Sequence, residues 1–106
     1  MTEQEPVAET LSENYPLPSN ATLKNIAKLS IVEDKKVQFD YWVGSCDGSV
    51  IIGVRDNEEK LLVKSEDEYT SPISKIFQVE EDYIIITENS IYVVSSKVSK
   101  KRITDA

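Results

Sequence analysis

Between Ile73 and Ser95, three apolar runs, Ile73–Val79, Tyr83–Thr87 and Ile91–Ser95, are separated by the breaks Glu80-Glu81-Asp82 and Glu88-Asn89-Ser90. The runs are rich in Ile, Val and Tyr, whose branched or aromatic side chains suit a pleated surface. Breaks this short leave no room for a crossover, so consecutive runs are expected to pair as adjacent antiparallel strands.

The same rhythm extends upstream. Ser49–Val54 and Lys60–Lys64 bracket the polar stretch Arg55-Asp56-Asn57-Glu58-Glu59 as a second hairpin. Val37–Val43 alternates Val37, Phe39, Tyr41 and Val43 against Gln38, Asp40 and Trp42. That alternation assigns the first set to a core face and turns Trp42 outward. Asn25–Val32 alternates Ala27, Leu29 and Ile31 against Lys28 and Ser30, with Glu33-Asp34-Lys35-Lys36 as the following turn. Gly44-Ser45-Cys46-Asp47-Gly48 reads as a bend, and Ser65–Pro72 as the longest break. One helical candidate overlaps the first of these strands: Ser19–Lys28, where Ser19 or Asn20 caps a turn and Leu23, Ile26 and Ala27 share a face.

The expected fold is therefore all-β, a small antiparallel barrel, sandwich or meander of about seven short strands. The domain is placed at residues 21–96, between an extended acidic, Pro-containing tail at 1–20 and a short basic end at 97–106. The hairpins Val50–Ser65 and Tyr83–Ser96 share a pattern, and the second has the rhythm of a propeller-blade hairpin. Many β folds share that rhythm, so it identifies none of them.

Several kinds of chemistry are disfavoured by composition. Histidine is absent, which removes the commonest general base and zinc ligand together with every Ser-His or Cys-His nucleophile pair. A single cysteine, Cys46, builds no disulfide or thiolate cluster, and no Lys, Arg or His adjoins it in sequence to activate the thiol. Three glycines allow neither a P-loop nor a dinucleotide fingerprint. Carboxylates fall in polar turns, where solvent keeps them ionised. These readings predict a protein that is not an enzyme and holds no cofactor or metal.

Net charge is −7, with four glutamates and no basic residue in the first twenty positions and Lys97, Lys100, Lys101 and Arg102 at the other end. An acidic body repels phosphate backbones, so nucleic acid is not an expected partner. The longest apolar run, Val50–Val54, is too short to cross a bilayer, and Met1–Glu5 has no basic or apolar leader character. The expected location is the cytoplasm, virion association included.

What remains is recognition of a protein. Trp42 and Tyr69 are candidate anchors because aromatic residues concentrate at interface centres, and Tyr15 and Leu17 are candidates in an extended tail segment. The expected function is a non-catalytic interaction or structural module that binds a protein partner or its own copy. A small subunit of a larger assembly, such as a virus particle, belongs to this class. The alternative is an acidic inhibitor or nucleic-acid mimic that occupies a basic groove on another protein.

Overall fold

The computed structural model describes residues 16–103. Two α-helices and eight strands follow in the order α1 (Asn20–Glu33), β1 (Lys36–Gln38), α2 (Trp42–Asp47), β2 (Ile51–Val54), β3 (Lys60–Ser65), β4 (Glu68–Tyr69), β5 (Ile73–Val79), β6 (Asp82–Thr87), β7 (Ser90–Ser95) and β8 (Ser99–Arg102). Strands predominate, as the patterning requires, but they form two mixed four-stranded sheets that do not close. The order is β1-β7-β6-β5 in sheet A and β4-β3-β2-β8 in sheet B. The meander β5-β6-β7 and the hairpin β2-β3 are antiparallel, whereas β1 pairs with β7, and β8 with β2, in parallel. The acidic tail, apart from Pro16–Asn20, lies outside the described residues.

Helix α1 replaces the strand expected at Asn25–Val32. Ser19 caps it, its Oγ accepting the Thr22 N–H at 3.1 Å. A second acceptor comes from sheet A: Asp82 Oδ2 takes the Ser19 N–H at 3.0 Å and the Thr22 hydroxyl at 2.7 Å. At the other end Asp34 adopts the left-handed conformation (φ 56°), and both Asp34 and Lys35 donate to the Ser30 carbonyl. Thr22, Ile26 and Leu29 recur at helical spacing and face inward, while Ile31 and Val32 are 80% and 75% exposed. The alternation of Ala27, Leu29 and Ile31 was therefore compatible with a strand only because it sampled two faces of a helix.

The run Val37–Val43 also breaks. Its strand ends at Gln38, the Trp42 N–H returns to the Phe39 carbonyl at 3.1 Å, and α2 begins. Val37 packs against the core, but Phe39 and Val43 are exposed and both Tyr41 and Trp42 are buried. The bend sends these two adjacent rings into different core clusters. Gly48 ends α2 with φ 89°, a conformation that favours glycine. Gly44 is needed for closeness, because a Cβ there would overlap the buried Val50 side chain.

The core has two compartments, one on each face of sheet A. Ile84, Ile86, Ile91 and Val93 meet Ile26 of α1 and Trp42 of α2. On the opposite face Ile85 and Val94 meet Val50, Ile52 and Leu62, which brings the two hairpins of similar sequence into contact. The arrangement is a helical layer on sheet A and sheet A on sheet B. The central strands β6 and β7 lose water from both faces, consistent with their nearly continuous Ile and Val content.

Tyr41 lies edge-on to Tyr92 with ring centroids 5.3 Å apart, and Lys64 Nζ sits 5.0 Å from the Tyr41 ring centre. Burial, reinforced by Tyr92, Asp40 and Glu68, pushes the Tyr41 phenol up to about 12, and burial likewise raises Tyr92. Folding thus favours the neutral phenols. The contribution of Tyr41 is complete below the ordinary value near 10.0 and is lost as pH rises through about 12, because the unfolded chain ionises first, and that of Tyr92 has the same sign. In an alkaline titration followed at 295 nm, Tyr41 and Tyr92 are expected to ionise only as the circular dichroism of the fold disappears. Ionisation of all five tyrosines near the ordinary value with the fold intact would contradict the packing.

Candidate protein-interaction surfaces

Trp42, expected to face outward from a strand, is 7% exposed and belongs to the helix-side core. The bend at Phe39 is the physical reason, since strand alternation ceases before the ring is reached. Its indole Nε1–H donates to the Pro16 carbonyl at 2.8 Å. The tryptophan therefore holds the described start of the chain against the domain. Leu17, one residue on, is 54% exposed and borders a groove of about 290 Å³ with Pro16, Trp42, Cys46, Asp82 and Lys97. Burial raises the Cys46 thiol, and Asp82 and Asp47 add to this against lowering contributions from Ser45 and Lys97. A thiol so placed is a poorer nucleophile than a free one. Tyr15 lies outside the described residues.

Tyr69 is 54% exposed and sits on a different surface, the outer face of sheet B. Strand β4 sets it opposite Val63 of β3, after an irregular register between Val63 and Ser65. Gly53 of β2 stands opposite Leu61, and Ile51 opposite Val63, so these positions share the face that points away from sheet A. Ile103, whose N–H bonds to the Val54 carbonyl at 3.0 Å, extends β8 and closes one side. A Cβ on Gly53 would lie 2.9 Å from Ile103 Cδ1 and 3.1 Å from Val63 Cγ2. The missing side chain is what lets Val63 and Ile103 approach each other. Beside them runs a groove of about 890 Å³ whose apolar lining is Val63, Ile103, Tyr69 and the almost fully buried Leu61.

Charge at the margin of this groove is mixed. Arg102 donates to Glu58 Oε2 at 2.8 Å and to the Arg55 carbonyl at 3.2 Å, and Arg55 Nη1 meets Glu59 Oε1 at 3.3 Å. The Arg102 guanidinium holds the Glu58 carboxyl below its ordinary range. Glu66 and Asp67 line the β3–β4 side. With its arginines engaged by carboxylates, the groove offers apolar contact and an aromatic ring rather than a bare cationic site. Among the described residues no group of three His, Cys, Asp or Glu side chains is placed to hold a metal ion. No helix among them is long and apolar enough to cross a membrane.

A second surface lies at a sheet edge. Strand β5 is an edge of sheet A, and its residues Ser74–Gln78 are all exposed, Ile76 by 39% and Phe77 by 40%. Its run of apolar residues was legible, but its position at an edge depends on which strands flank β6 and β7. Within the basic end, Ser99–Arg102 forms β8, paired in parallel with β2. Comparison of the chain with protein-family models, with curated proteins and with solved structures gave no match.

Proposed function

We propose that the protein is an intracellular, non-catalytic interaction module that binds a protein partner across the outer face of sheet B, with Tyr69 as the anchor. The observation that carries this reading is a groove of apolar and charged side chains on a sheet face turned away from the core, closed on one side by Ile103 packed against Gly53 and edged by a half-exposed tyrosine. Such a face offers burial of apolar area around an aromatic ring, the combination on which interface energetics concentrate. The same face suits a small subunit docked within a larger assembly.

The test is partner capture from the native source, read by mass spectrometry, with the wild type, Tyr69→Ala and Val63→Lys compared with the remote surface variant Ile31→Ser. A partner held by the wild type and Ile31→Ser is expected to be lost from both groove variants, with Tyr69→Ala weakening it by about 2 kcal/mol. Equal capture by all four chains would refute the assignment to this face.

A second reading draws on the net charge of −7 and on Glu66 and Asp67 at the groove margin: an acidic inhibitor or nucleic-acid mimic seated in a partner's basic groove. Salt separates the two. A charge-driven complex weakens steeply between low and moderate ionic strength, whereas an apolar one does not.

A further inference from the structure

Among the described residues the two sheets present four edges, and three of them are blunted. Strand β1 is three residues long and β4 two, with an irregular register. Strand β8 reads Ser-Lys-Lys-Arg, a charged edge of the kind that resists pairing. Strand β5 differs: it runs for seven residues, hydrogen-bonds on one side to β6, and carries one charge, Lys75. Every second residue of such an edge directs its N–H and C=O away from the sheet, where a further strand satisfies them.

We propose that the occupant of this edge is the β5 strand of a second copy, paired antiparallel about a two-fold axis at Ile76. The sequence Ser74-Lys75-Ile76-Phe77-Gln78 is complementary to its own reverse in that register. Ile76 stands opposite Ile76, Lys75 opposite Phe77, and Ser74 opposite Gln78, so an apolar pair, two cation–aromatic pairs and two polar pairs form together. The closest approach of like charge is diagonal rather than direct. Each Lys75 is already partnered by Glu33 of α1, Nζ to Oε2 at 3.4 Å, which offsets repulsion between the two lysines.

Both faces of the pair receive apolar cover. Phe77 lies opposite Ile84 on the helix side of sheet A and Ile76 opposite Ile85 on the side facing sheet B. The irregularity between Ile73 and Lys75 ends the regular pairing at one extremity, and the Glu80-Glu81 turn ends it at the other. Two sheets of four strands become one of eight. An isologous contact of this kind closes at two copies because each edge is used once and the remaining edges are blunted. The surface is distinct from the sheet B groove, so the two assignments fail independently.

Sedimentation velocity over a concentration series of the full chain tests the proposal. The average mass is expected to rise from the 12.0 kDa of one chain toward twice that value. Two chains of charge −7 repel, so added salt is expected to strengthen the association, opposite to a charge-driven contact. Ile76→Lys and Ile76→Glu each place like charges across the axis and are expected to weaken self-association by at least about tenfold, while a mixture of the two restores a heterodimer. Because Ile76 is partly exposed, thermal melts are expected to show both variants folded, and restoration by mixing excludes misfolding as the cause of loss. A wild type that stays monomeric throughout the series, or a dimer unaffected by Ile76→Lys, overturns the proposal. Tyr69→Ala is expected to leave the dimer intact, which keeps this result separate from the partner-capture test.

Discussion

Trp42→Ala is expected to lower the free energy of unfolding by about 4 kcal/mol, among the largest losses available to a single substitution in a domain of this size. The ring is nearly buried among Ile26, Ile84, Ile86, Ile91 and Val93, and its removal leaves a cavity that helix and sheet cannot both move to fill. A further loss comes from the Pro16 carbonyl, which no longer receives the indole N–H. Since a small domain is stable by only about 5 to 15 kcal/mol, the melting temperature is expected to fall by about 15 °C or more. Trp42→Phe separates the two contributions: it keeps much of the ring volume and forfeits the hydrogen bond, at about 1 kcal/mol for that bond. Urea unfolding of the two variants measures both. Partner capture lost from Trp42→Ala at unchanged stability would instead mean that the ring is a contact residue, contrary to its burial.

The contrast between Trp42 and Tyr69 shows where sequence patterning works and where it stops. Patterning located the hairpin β2–β3 and the meander β5-β6-β7 to within a residue or two, because each pairing is enforced by a short turn visible in the sequence. Parallel pairing of β1 with β7 and of β8 with β2 joins segments far apart in the chain, and no local signal marks it. The expectation of antiparallel pairing throughout therefore became two mixed sheets. Strand β8 was hidden further by composition, since Ser-Lys-Lys-Arg has no apolar alternation and resembles a solvated end.

Helix α1 was partly legible. The cap at Ser19 and the inward position of Ile26 were readable, and the helical reading was the correct one where it overlapped Asn25–Val32. Leu23 and Ala27, assigned to the same face as Ile26, are exposed, because the inward stripe is Thr22, Ile26 and Leu29. Tyr69 lies in an irregular stretch where exposure of a ring is unremarkable, and it is exposed. The direction of Trp42 depended on alternation persisting past Phe39, which a one-residue change of backbone course defeats. The groove itself was beyond sequence reasoning, since one side of it is Ile103, which β8 brings to Gly53 and Val63 from far along the chain.

Asp82→Ala is expected to destabilise the fold by about 3 kcal/mol, a large effect for a residue that sequence alone places in an acidic turn. The carboxylate is 6% exposed at the first position of β6, and its Oδ2 receives both the Ser19 N–H and the Thr22 hydroxyl. Hydrogen bonds to an ionised acceptor exceed neutral ones in strength. Thr22 is fully buried, and with Asp82 removed its remaining contacts are Ser19 Oγ and a long approach of 3.4 Å to the Val79 carbonyl. The start of α1 then keeps only that long hydrogen bond to sheet A, so the effect extends beyond two bonds to the docking of the helix on Ile84 and Ile86. Asp82→Asn retains an acceptor oxygen without the charge and is expected to cost about 1 kcal/mol. Equilibrium unfolding in urea checks the ranking, and hydrogen exchange checks the mechanism: amides of the first turn of α1 are expected to lose protection before those of β6 and β7. Asp82→Ala and wild type unfolding at the same urea concentration would show that the cap at Ser19 suffices for the helix and that the buried carboxylate adds nothing to it.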